Sequence, residues 1–449
     1  MSNPPGETSP APRPLSDFSD AEQRATISKI SWRLLPLLLF CYIIAYIDRI
    51  NVGFAKEQFQ LQDVLGVDPA KFNSIFGFGM GLFFWGYFLF EVPSNLILHR
   101  IGARIWIARI MIVWGLVSLA FMFMKGVTMF YVLRILLGIA EAGFFPGVIL
   151  YLTYWYPVRE RARIVAFFAL GGVAAGAIGS PISGAILKMN GLAGLWGWQW
   201  LFLLESIPAI VLGFVVLLIL PNSFRDARWL TEREKAWVQR RMEQDATSQD
   251  ASQSHTLKDV FITPQIWLLC LLYFLMNVGG YGFEMWLPSI LKELSGQDSH
   301  IVGWLNAIPY AIAGVVMLFV GRFSDRTGER RKVVAAAAIS AAIGFALAAY
   351  LKNPVLALAA LTLAFAGIKS TIAPFWAMST AFLSGTAAAG GIAFINSVGN
   401  LGGWAGPHLV GIFKDSTGND VAAMLLLGGA LLGMGILVLL LPKSKPKPA

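Results

Sequence analysis

The chain has 449 residues, of which 56% are hydrophobic and only 14% are charged, and its mean hydropathy is +0.64. A soluble globular protein of this length has too little polar surface to cover so much apolar area, so the composition excludes that class. The net charge of +9 does not indicate a nucleic-acid partner, because the basic residues follow the loops between apolar segments. Apolar stretches of ~20 residues recur without period-two alternation, which predicts membrane-spanning helices rather than a barrel.

Twelve apolar spans are predicted, and they define an all-α membrane protein built from two six-helix halves. In residue numbers the spans cover roughly 34–56, 73–98, 106–124, 129–154, 164–187, 198–220, 263–290, 303–321, 333–350, 355–382, 390–412 and 421–441. The predicted divisions are a disordered tail at 1–33, an N-terminal bundle at 34–220, a polar linker at 221–262, a C-terminal bundle at 263–441 and a second tail at 442–449. The first tail is assigned from its polar, Pro- and Ser-rich composition.

The positively charged residues predict which side of the membrane holds the chain ends. Because the number of spans is even, both ends lie on one side, and that side holds 24 of the 35 Lys and Arg residues against 7 on the other. Lys and Arg concentrate in cytoplasmic loops, so both termini are expected in the cytoplasm. The excess of basic residues therefore reports topology rather than a partner.

The two halves carry the same short motif, R-x-G-x-R. Its residues are Arg100, Gly102 and Arg104 in the first half, and Arg326, Gly328 and Arg330 in the second, where Asp325 precedes the motif. The copies lie 226 residues apart, as do Pro181 and Pro407, which indicates two parallel repeats with a substrate site near the midplane between them. We expect the motif to be structural, because Gly permits a tight turn and the arginines can bind helix C-termini or a carboxylate.

Span 1 places two charges side by side inside an apolar run. Asp48 and Arg49 lie about 21 Å along the helix from Leu34, past the middle of the bilayer. Charges at the bilayer centre cost ~2.5–3.5 kcal/mol each on insertion scales, so they normally face a bundle interior and serve function. Arg49 shares a helix face with Tyr46, and Asp48 turns toward a neighbouring helix. The alternative is a self-neutralising pair that only locks helices together.

Span 4 carries a second set of charges. Arg134 and Glu141 are seven residues apart and share one helix face, with the small Gly138 between them. Arginine keeps its charge and binds carboxylates with its planar fork, whereas a buried carboxyl group can carry a proton. We therefore expect Arg49 to bind an anion, and Asp48 or Glu141 to carry a proton. Arg134 either belongs to this site or is a fixed partner for Glu141 or a neighbouring helix.

Lys369 in span 10 is the buried cation of the second half. Shifted back by 226 residues it falls two positions past Glu141, so the two lie at a similar depth. Lys369 either provides a second positive contact for an anion, or it snorkels or pairs with Glu284. Other candidate wall residues are Tyr87 in span 2, Tyr281 in span 7, Trp376 on the face of Lys369, and Asn396 and Asn400 in span 11. Glu91 and Glu205 are expected to make structural hydrogen bonds.

Several chemistries have no support in the sequence. There is no Walker A motif, no Gly-rich dinucleotide motif and no H-x-x-x-H metal pair. The two cysteines, Cys41 and Cys270, both fall in apolar spans, and the four histidines are scattered. We therefore expect no cofactor, no metal and no catalytic residue, and we expect an ion gradient rather than ATP to provide energy.

Several of the residues singled out above lie in stretches that resemble the major facilitator superfamily, and more closely its anion:cation symporter family. The stretches are "YIDRINVGFA", "EVPSN", "RIGARIW", "GIAEAGFFPG", "GWQWLFLLE", "GRFSDRTGERR", "PFWAM" and "GTAAAGGIAFINSVGNLGG". The resemblance runs in order from about residue 30 to residue 440. It implies a monomer in the bacterial inner membrane that imports a small organic anion with protons and needs no protein partner.

The resemblance also implies roles for individual residues. In galactonate-type relatives, the positions that match Asp48, Arg49 and Glu141 carry proton coupling and substrate binding. Further matching positions are Tyr46, Tyr87, Arg134, Trp376 and Asn396. Span 5 lacks a Gln, and Ala373 stands where a small hydroxyl is expected, which disfavours a sugar acid. Lys369 fits a second carboxylate, so the favoured substrate is a dicarboxylate or hydroxy acid such as tartrate.

Alternatives remain open at this stage. The substrate is otherwise an aromatic acid, such as phthalate or hydroxyphenylacetate, or a galactonate-like sugar acid. A uniporter or exchanger of the same fold would ignore a proton gradient. A membrane sensor without transport usually needs a signalling domain, for which the 42-residue segment 221–262 is too short. A membrane enzyme would need a nucleophile–base or metal-ligand arrangement, which the sequence lacks.

Overall fold

The computed structural model of the chain describes residues 18–249, 263–381 and 386–442. Most of the predicted first tail, the end of the linker and nearly all of the second tail therefore lie outside the described residues. The α-helices in chain order are α1 Asp20–Ile50, α2 Val52–Leu61, α3 Phe72–Ile101, α4 Ala103–Ala120, α5 Gly126–Glu141, α6 Phe144–Thr153, α7 Val158–Leu187, α8 Gly197–Ile219, α9 Glu232–Gln249, α10 Pro264–Ser295, α11 Ser299–Thr327, α12 Arg330–Tyr350, α13 Pro354–Ala381, α14 Thr386–Asn400, α15 Gly402–Thr417 and α16 Val421–Leu437.

The described residues form no β-strand, and eleven of their helical stretches are long and apolar enough to cross a membrane. The remaining predicted crossing, span 11, is made by α14 and α15 together, which are interrupted at Leu401. The prediction of an all-α membrane protein with twelve crossings is confirmed. We call the face where α1 begins and α16 ends the terminal face, and the opposite one the far face.

Helix α1 begins well before the first predicted span. The predicted tail was to end at residue 33, but the helix starts at Asp20. Ser19 caps it: its Oγ accepts a hydrogen bond from the Glu22 N–H at 3.3 Å, and the Glu22 carboxylate accepts from the Ser19 N–H at 2.9 Å. This capping box satisfies two backbone donors at the helix start. The prediction of disorder was therefore wrong for residues 20–33.

Two of the predicted spans are broken where they carry charge. Span 1 changes from α1 to α2 at Asn51, two residues after Arg49. Span 4 changes from α5 to α6 after Glu141, which is the last residue of α5. The break is set by Gly143, whose φ of 85° lies in the left-handed region that a side chain disfavours. The sequence predicted that Glu141 lies within one continuous helix. In the structure it is the last residue of α5.

The far face is closed by polar contacts between the halves. Lys292 of α10 pairs with Glu57 of α2 at 3.1 Å, and Lys56 lies 3.8 Å from Glu293. The Asp415 carboxylate on α15 accepts hydrogen bonds from the start of α3, at 2.7 Å from the Ser74 N–H and at 2.9 Å from Asn73 Nδ2. These contacts join the first half to the second at this end of the bundle.

On the terminal face, α9 of the linker packs against the first half. Lys29 of α1 pairs with Glu234 at 2.9 Å. The rings of Phe18 and Trp237 stack with centroids 5.7 Å apart, and those of Trp155 and Trp229 stack at the same distance. The beginning of the linker is therefore attached to the N-terminal bundle, through both ion pairs and aromatic rings.

The R-x-G-x-R motif also lies on the terminal face. Arg104 Nε donates to the Leu217 carbonyl at 2.5 Å, and Arg330 donates to the Ala377 carbonyl. The Leu217 carbonyl belongs to the last turn of α8, where backbone acceptors lack intrahelical partners, and Ala377 lies near the end of α13. The other charged motif residues are exposed: Arg100, Asp325 and Arg326. The two motif glycines, Gly102 and Gly328, have φ values of 97° and 68°.

Candidate functional site

Arg49 and Glu141 form an ion pair inside the first half. An Arg49 amino group donates to Glu141 Oε1, and the other donates to the Tyr281 hydroxyl at 3.1 Å. The two charged side chains are 11% and 1% exposed. Tyr281 lies on α10 of the second half, so the pair is bonded across the interface between the halves. Glu141 Oε2 is buried with no hydrogen-bond partner among the described residues.

Three aromatic rings surround the Arg49 guanidinium. Its central carbon lies 5.2 Å from the Phe83 ring centroid, 5.7 Å from that of Tyr87 and 5.9 Å from that of Tyr46. Ring faces attract a cation, more strongly where water is absent. The cage keeps Arg49 charged and oriented, and its walls offer flat apolar surface beside the cation.

Glu284 and Lys369 form a second buried ion pair, inside the second half. Lys369 Nζ donates to Glu284 Oε1, and the two side chains are 8% and 2% exposed. Tyr46 of the first half donates its hydroxyl hydrogen to Glu284 Oε2, and Lys369 Nζ lies 3.2 Å from that hydroxyl oxygen. Of the two interpretations open for Lys369, the described structure shows the pair with Glu284. This pair, too, is bonded to a tyrosine from the opposite half.

Asp48 faces away from these pairs, toward α4. Trp114 Nε1 donates to Asp48 Oδ2 at 2.5 Å, while Ser118 Oγ and Asn51 Nδ2 donate to Oδ1, the latter at 3.2 Å. Trp114 and Ser118 are four residues apart and share a helix face. The two charged residues of span 1 thus bind different partners. Arg49 lies at the interface between the halves, and Asp48 lies inside the first half.

Arg134 shares a helix face with Glu141 but is not hydrogen-bonded to it. It donates to the Met80 carbonyl on α3 at 2.7 Å and lies 5.4 Å from the Phe83 ring centroid. Its Nε is buried with no hydrogen-bond partner in the described ranges. The structure therefore joins Arg134 to a neighbouring helix, one of the alternatives left open by the sequence, and leaves Glu141 to Arg49.

The predicted amide residues lie outside the two ion pairs. Asn396 Nδ2 donates to Glu91 Oε1 at 2.6 Å, which is another contact between the halves. Asn277 Nδ2 lies 3.5 Å from Asn400 Oδ1. Trp376 is half-buried and packs edge-on against Tyr273, with ring centroids 5.0 Å apart. None of the hydrogen bonds described for these residues reaches the charged pairs.

The structure thus gathers six predicted residues into two hydrogen-bonded groups of three, which meet where the Arg49 guanidinium lies 5.9 Å from the Tyr46 ring centroid, and we call the six together the central network. Its members are Tyr46, Arg49, Glu141, Tyr281, Glu284 and Lys369. Sequence reasoning missed Phe83 beneath Arg49 and the donors of Asp48, Trp114 and Ser118. The i,i+4 spacing of those two donors in span 3 was the available signal.

The central network can exchange partners without a net change in charge. It holds two cations and two carboxylates, all nearly inaccessible to water. An incoming carboxylate can replace Glu141 on Arg49, because the guanidinium offers several donors and here uses one amino group for Glu141 and the other for Tyr281. The displaced glutamate is then left buried, where its neutral protonated form is favoured.

Comparisons with known proteins agree with this architecture. The family model described as Major Facilitator Superfamily matches residues 38–407 and, in a second match, 287–449. A putative tartrate transporter of Agrobacterium vitis is 46% identical over 96% of this chain and 94% of its own. The putative metabolite transport protein NicT of Pseudomonas putida is 43% identical over 94% of this chain and 96% of its own. The crystal structure of a D-xylose–proton symporter has a TM-score of 0.76 at 16% identity, over 93% of this chain and 99% of that one.

Proposed function

Because the chain belongs to the Major Facilitator Superfamily, we propose that this membrane transporter imports a small organic anion together with protons by alternating access. The observation that carries the proposal is the buried Arg49–Glu141 pair at the interface between the halves. In this fold the substrate site lies between two bundles that rock against each other. An arginine at that place is suited to an anionic substrate, and its glutamate partner is suited to a proton.

Coupling follows from the cost of leaving a buried charge without a partner. Removing one member of a buried ion pair typically costs about 3–5 kcal/mol. A substrate carboxylate that takes the place of Glu141 on Arg49 would impose this cost on Glu141, unless that residue binds a proton. Substrate and proton therefore bind together, and neither crosses alone at an appreciable rate. Dissociation of both on the other side restores the Arg49–Glu141 pair.

We propose a dicarboxylate or hydroxy acid such as tartrate as the substrate, within the anion:cation symporter family. Two buried cations, Arg49 and Lys369, support two carboxylates, and the Agrobacterium relative is named a putative tartrate transporter. The rings around Arg49 favour an aromatic acid such as phthalate as the second candidate. The half-buried Trp376 and the amides Asn396 and Asn400 remain proposed wall residues that approach the substrate once the network opens.

We place the protein in the bacterial inner membrane as a monomer, with the terminal face in the cytoplasm and the far face in the periplasm. The basic residues of the terminal side support this orientation. The far-face contacts Lys292–Glu57 and Asp415–Ser74 then close the periplasmic mouth. In this orientation, opening toward the periplasm requires these contacts to separate.

The test is uptake of radiolabelled tartrate into proteoliposomes under an imposed pH gradient. We expect accumulation that stops when a protonophore collapses the gradient, and no accumulation by Arg49→Gln. Phthalate and galactonate as competitors rank the substrate classes. Accumulation that persists after collapse of the gradient, or that survives in Arg49→Gln, would contradict the proposal.

A further inference from the structure

The two ion pairs of the central network are arranged with opposite polarity in the two halves. Tyr46 and Arg49 are three residues apart on α1, the first crossing of the first half, and Tyr281 and Glu284 are three apart on α10, the first crossing of the second. The partners, Glu141 and Lys369, lie on the fourth crossing of each half. The cation is thus on the first crossing in one half, and the carboxylate is on the first crossing in the other.

The tyrosines link the pairs crosswise. Tyr281 of the second half accepts from Arg49 at 3.1 Å, and Tyr46 of the first half donates to Glu284. In the described structure, Tyr46 makes no hydrogen bond to Glu141 and Tyr281 makes none to Glu284. Each pair is therefore held by the opposite half, and movement of the halves loosens both pairs together.

From this arrangement we propose that Glu284 is a second proton-carrying residue, so that two protons enter with each dicarboxylate. The inference rests on the proposed function. One substrate carboxylate binds Arg49 in place of Glu141, and the other binds Lys369 in place of Glu284. One proton adds to a carboxylate oxygen of each displaced glutamate. The network holds no net charge before or after, because two protonated acids and a dianion replace two carboxylates.

Glu284 faces one cation and several hydroxyl groups. Lys369 on α13 is its ion-pair partner, and Tyr46 on α1 donates to it. Tyr310 on α11 also lies within its electrostatic reach, as do Tyr42 on α1 and Tyr281 on α10 itself. The Tyr310 hydroxyl is fully buried and lacks a geometric hydrogen-bond partner among the described residues. A protonated Glu284 needs an acceptor in place of Lys369, and we assign this role to the unpartnered Tyr310 hydroxyl.

Charge balance makes the proposal measurable. A dianion that enters with two protons moves no net charge, so an inside-negative potential leaves wild-type uptake unchanged. In Glu284→Gln one glutamate of the central network, Glu141, is left to take a proton in exchange for a substrate carboxylate, so each transported dianion carries one net negative charge inward. A pH gradient of one unit supports about 100-fold accumulation with two protons and about tenfold with one, since each proton contributes a factor of ten. An inside-negative potential then lowers the accumulation by the variant further.

Proton uptake on binding gives a second measurement that does not require transport. Tartrate added to the purified protein in weak buffer is expected to draw two protons per binding site in the wild type and one in Glu284→Gln. Glu284→Asp, which keeps an ionisable group, is expected to draw two. Glu205→Gln is the matched control, because Glu205 is a buried carboxylate on α8 bonded to Ser183 and outside the network.

The outcomes separate this inference from the proposed function. If the wild-type protein neither binds nor transports any carboxylate, the proposed function itself is contradicted. A wild type that transports a dicarboxylate while Glu284→Gln keeps the same proton count and the same insensitivity to potential overturns only the role of Glu284. One fewer proton in Glu284→Gln, with the wild-type count in Glu205→Gln, supports it.

Discussion

Glu141 is the residue on which the proposed coupling depends most directly. Its side chain is almost inaccessible, one oxygen binds Arg49, and the other has no hydrogen-bond partner in the described structure. A carboxylate with an unused acceptor and a single cation partner is poorly stabilised once that cation is taken away. The residue therefore has two favourable states, paired and charged or displaced and neutral.

Glu141→Gln is expected to separate exchange from accumulation. The amide imitates the protonated acid, so substrate can bind and be exchanged for labelled substrate across the membrane. The proton can no longer be carried at this site, and uphill accumulation is expected to fall at least tenfold. The measurement compares counterflow with gradient-driven uptake in the same proteoliposomes. Equal loss of both activities would instead indicate a structural role.

Arg49→Lys tests whether the forked geometry matters beyond the charge. Lysine keeps the positive charge but offers a single ammonium group in place of the planar fork. Loss of one charge-assisted hydrogen bond is worth about 1.5–3 kcal/mol, so we expect at least tenfold weaker tartrate binding. A smaller ligand-induced rise in melting temperature would report this. Arg109→Lys, at a position whose guanidinium stacks 4.4 Å from the Trp106 ring outside the network, is the control.

Sequence reasoning reached most of the charged residues of the site and offered the Lys369–Glu284 pair as one alternative, but it did not predict the partner of Arg49. Depth in an apolar span identified Arg49, Glu141 and Lys369, because such charges are rarely tolerated without function. Helical spacing also turned Asp48 toward a neighbouring helix, as the structure shows. Spacing along one helix carries no information about which residue of another helix lies opposite, so the pairing of Arg49 with Glu141 was not predicted.

At the scale of the element, the broken fourth crossing positions the site. Helix α5 ends at Glu141, and Gly143 turns the chain into α6. A Cβ at Gly143 would collide with the Ser94 side chain of α3. Apolar character extends across this break, so hydropathy predicted one span. The non-helical backbone of Ala142 and Gly143 separates the two helices.

Gly143→Ala is expected to lower both stability and transport. The left-handed backbone costs a side chain about 1–2 kcal/mol, and the contact with Ser94 adds to it. Gly126→Ala is the matched control, since Gly126 has a similar φ of 75° but open space around it. We expect a larger fall in melting temperature for Gly143→Ala, together with loss of tartrate uptake. Equal effects would mean that strain alone, without the collision, decides the outcome.

The attachment of α9 is expected to weaken at acid pH. Burial raises the pKa of Glu234, but hydrogen bonds from Lys29 and Thr231 outweigh it, so the pKa lies below its ordinary value of 4.5. A carboxyl with a lowered pKa stabilises the folded state above its ordinary pKa, and this contribution disappears as the pH falls through the lowered value. The pair is partly exposed and worth about 0.5 kcal/mol. Hydrogen exchange of α9 should rise at low pH, and Glu234→Gln should remove that part of the pH dependence.

At the scale of the whole molecule, the proposed alternating-access cycle gives the far-face contacts a role in setting which state is favoured. Asp415 accepts from two backbone N–H groups and one amide at the start of α3. Every one of these bonds joins the two halves, so all of them are lost when the far mouth opens. Their removal therefore changes the balance between the two states more than the stability of either half.

Asp415→Ala is expected to shift the population toward an open far mouth by about tenfold or more, the equivalent of one lost charge-assisted hydrogen bond. A cysteine at Ser289, whose hydroxyl accepts from Lys56 at 2.9 Å at this mouth, reports the opening by its rate of labelling. The native Cys41 and Cys270 are both buried. Asp298→Ala is the control, because Asp298 is exposed on the same face. It directly precedes α11, but its side chain makes no capping hydrogen bond. Equal labelling rates in both variants would remove Asp415 from the closure.

The sequence predicted the global architecture more completely than it predicted the contacts within the site. Span count, helical class and the repeat follow from hydropathy and from one offset of 226 residues. The extension of α1 to Asp20 was missed because its first turns are polar, although Ser19 and Glu22 form a recognisable capping box. Individual hydrogen bonds between the halves, such as Asn306 to Ser180 at 2.7 Å, are predicted by no pattern within one segment.

The opposite polarity of the two ion pairs limits which parts of the chain can be exchanged. Tyr46 of the first half donates to a carboxylate of the second half, so a cation at position 284 would face that hydroxyl in its place. Glu284 on α10 and Lys369 on α13 belong to the same half, so a chimera that exchanges a whole half inherits both. A chimera whose junction lies between α10 and α13 should therefore work only if its two parents supply opposite charges at positions 284 and 369.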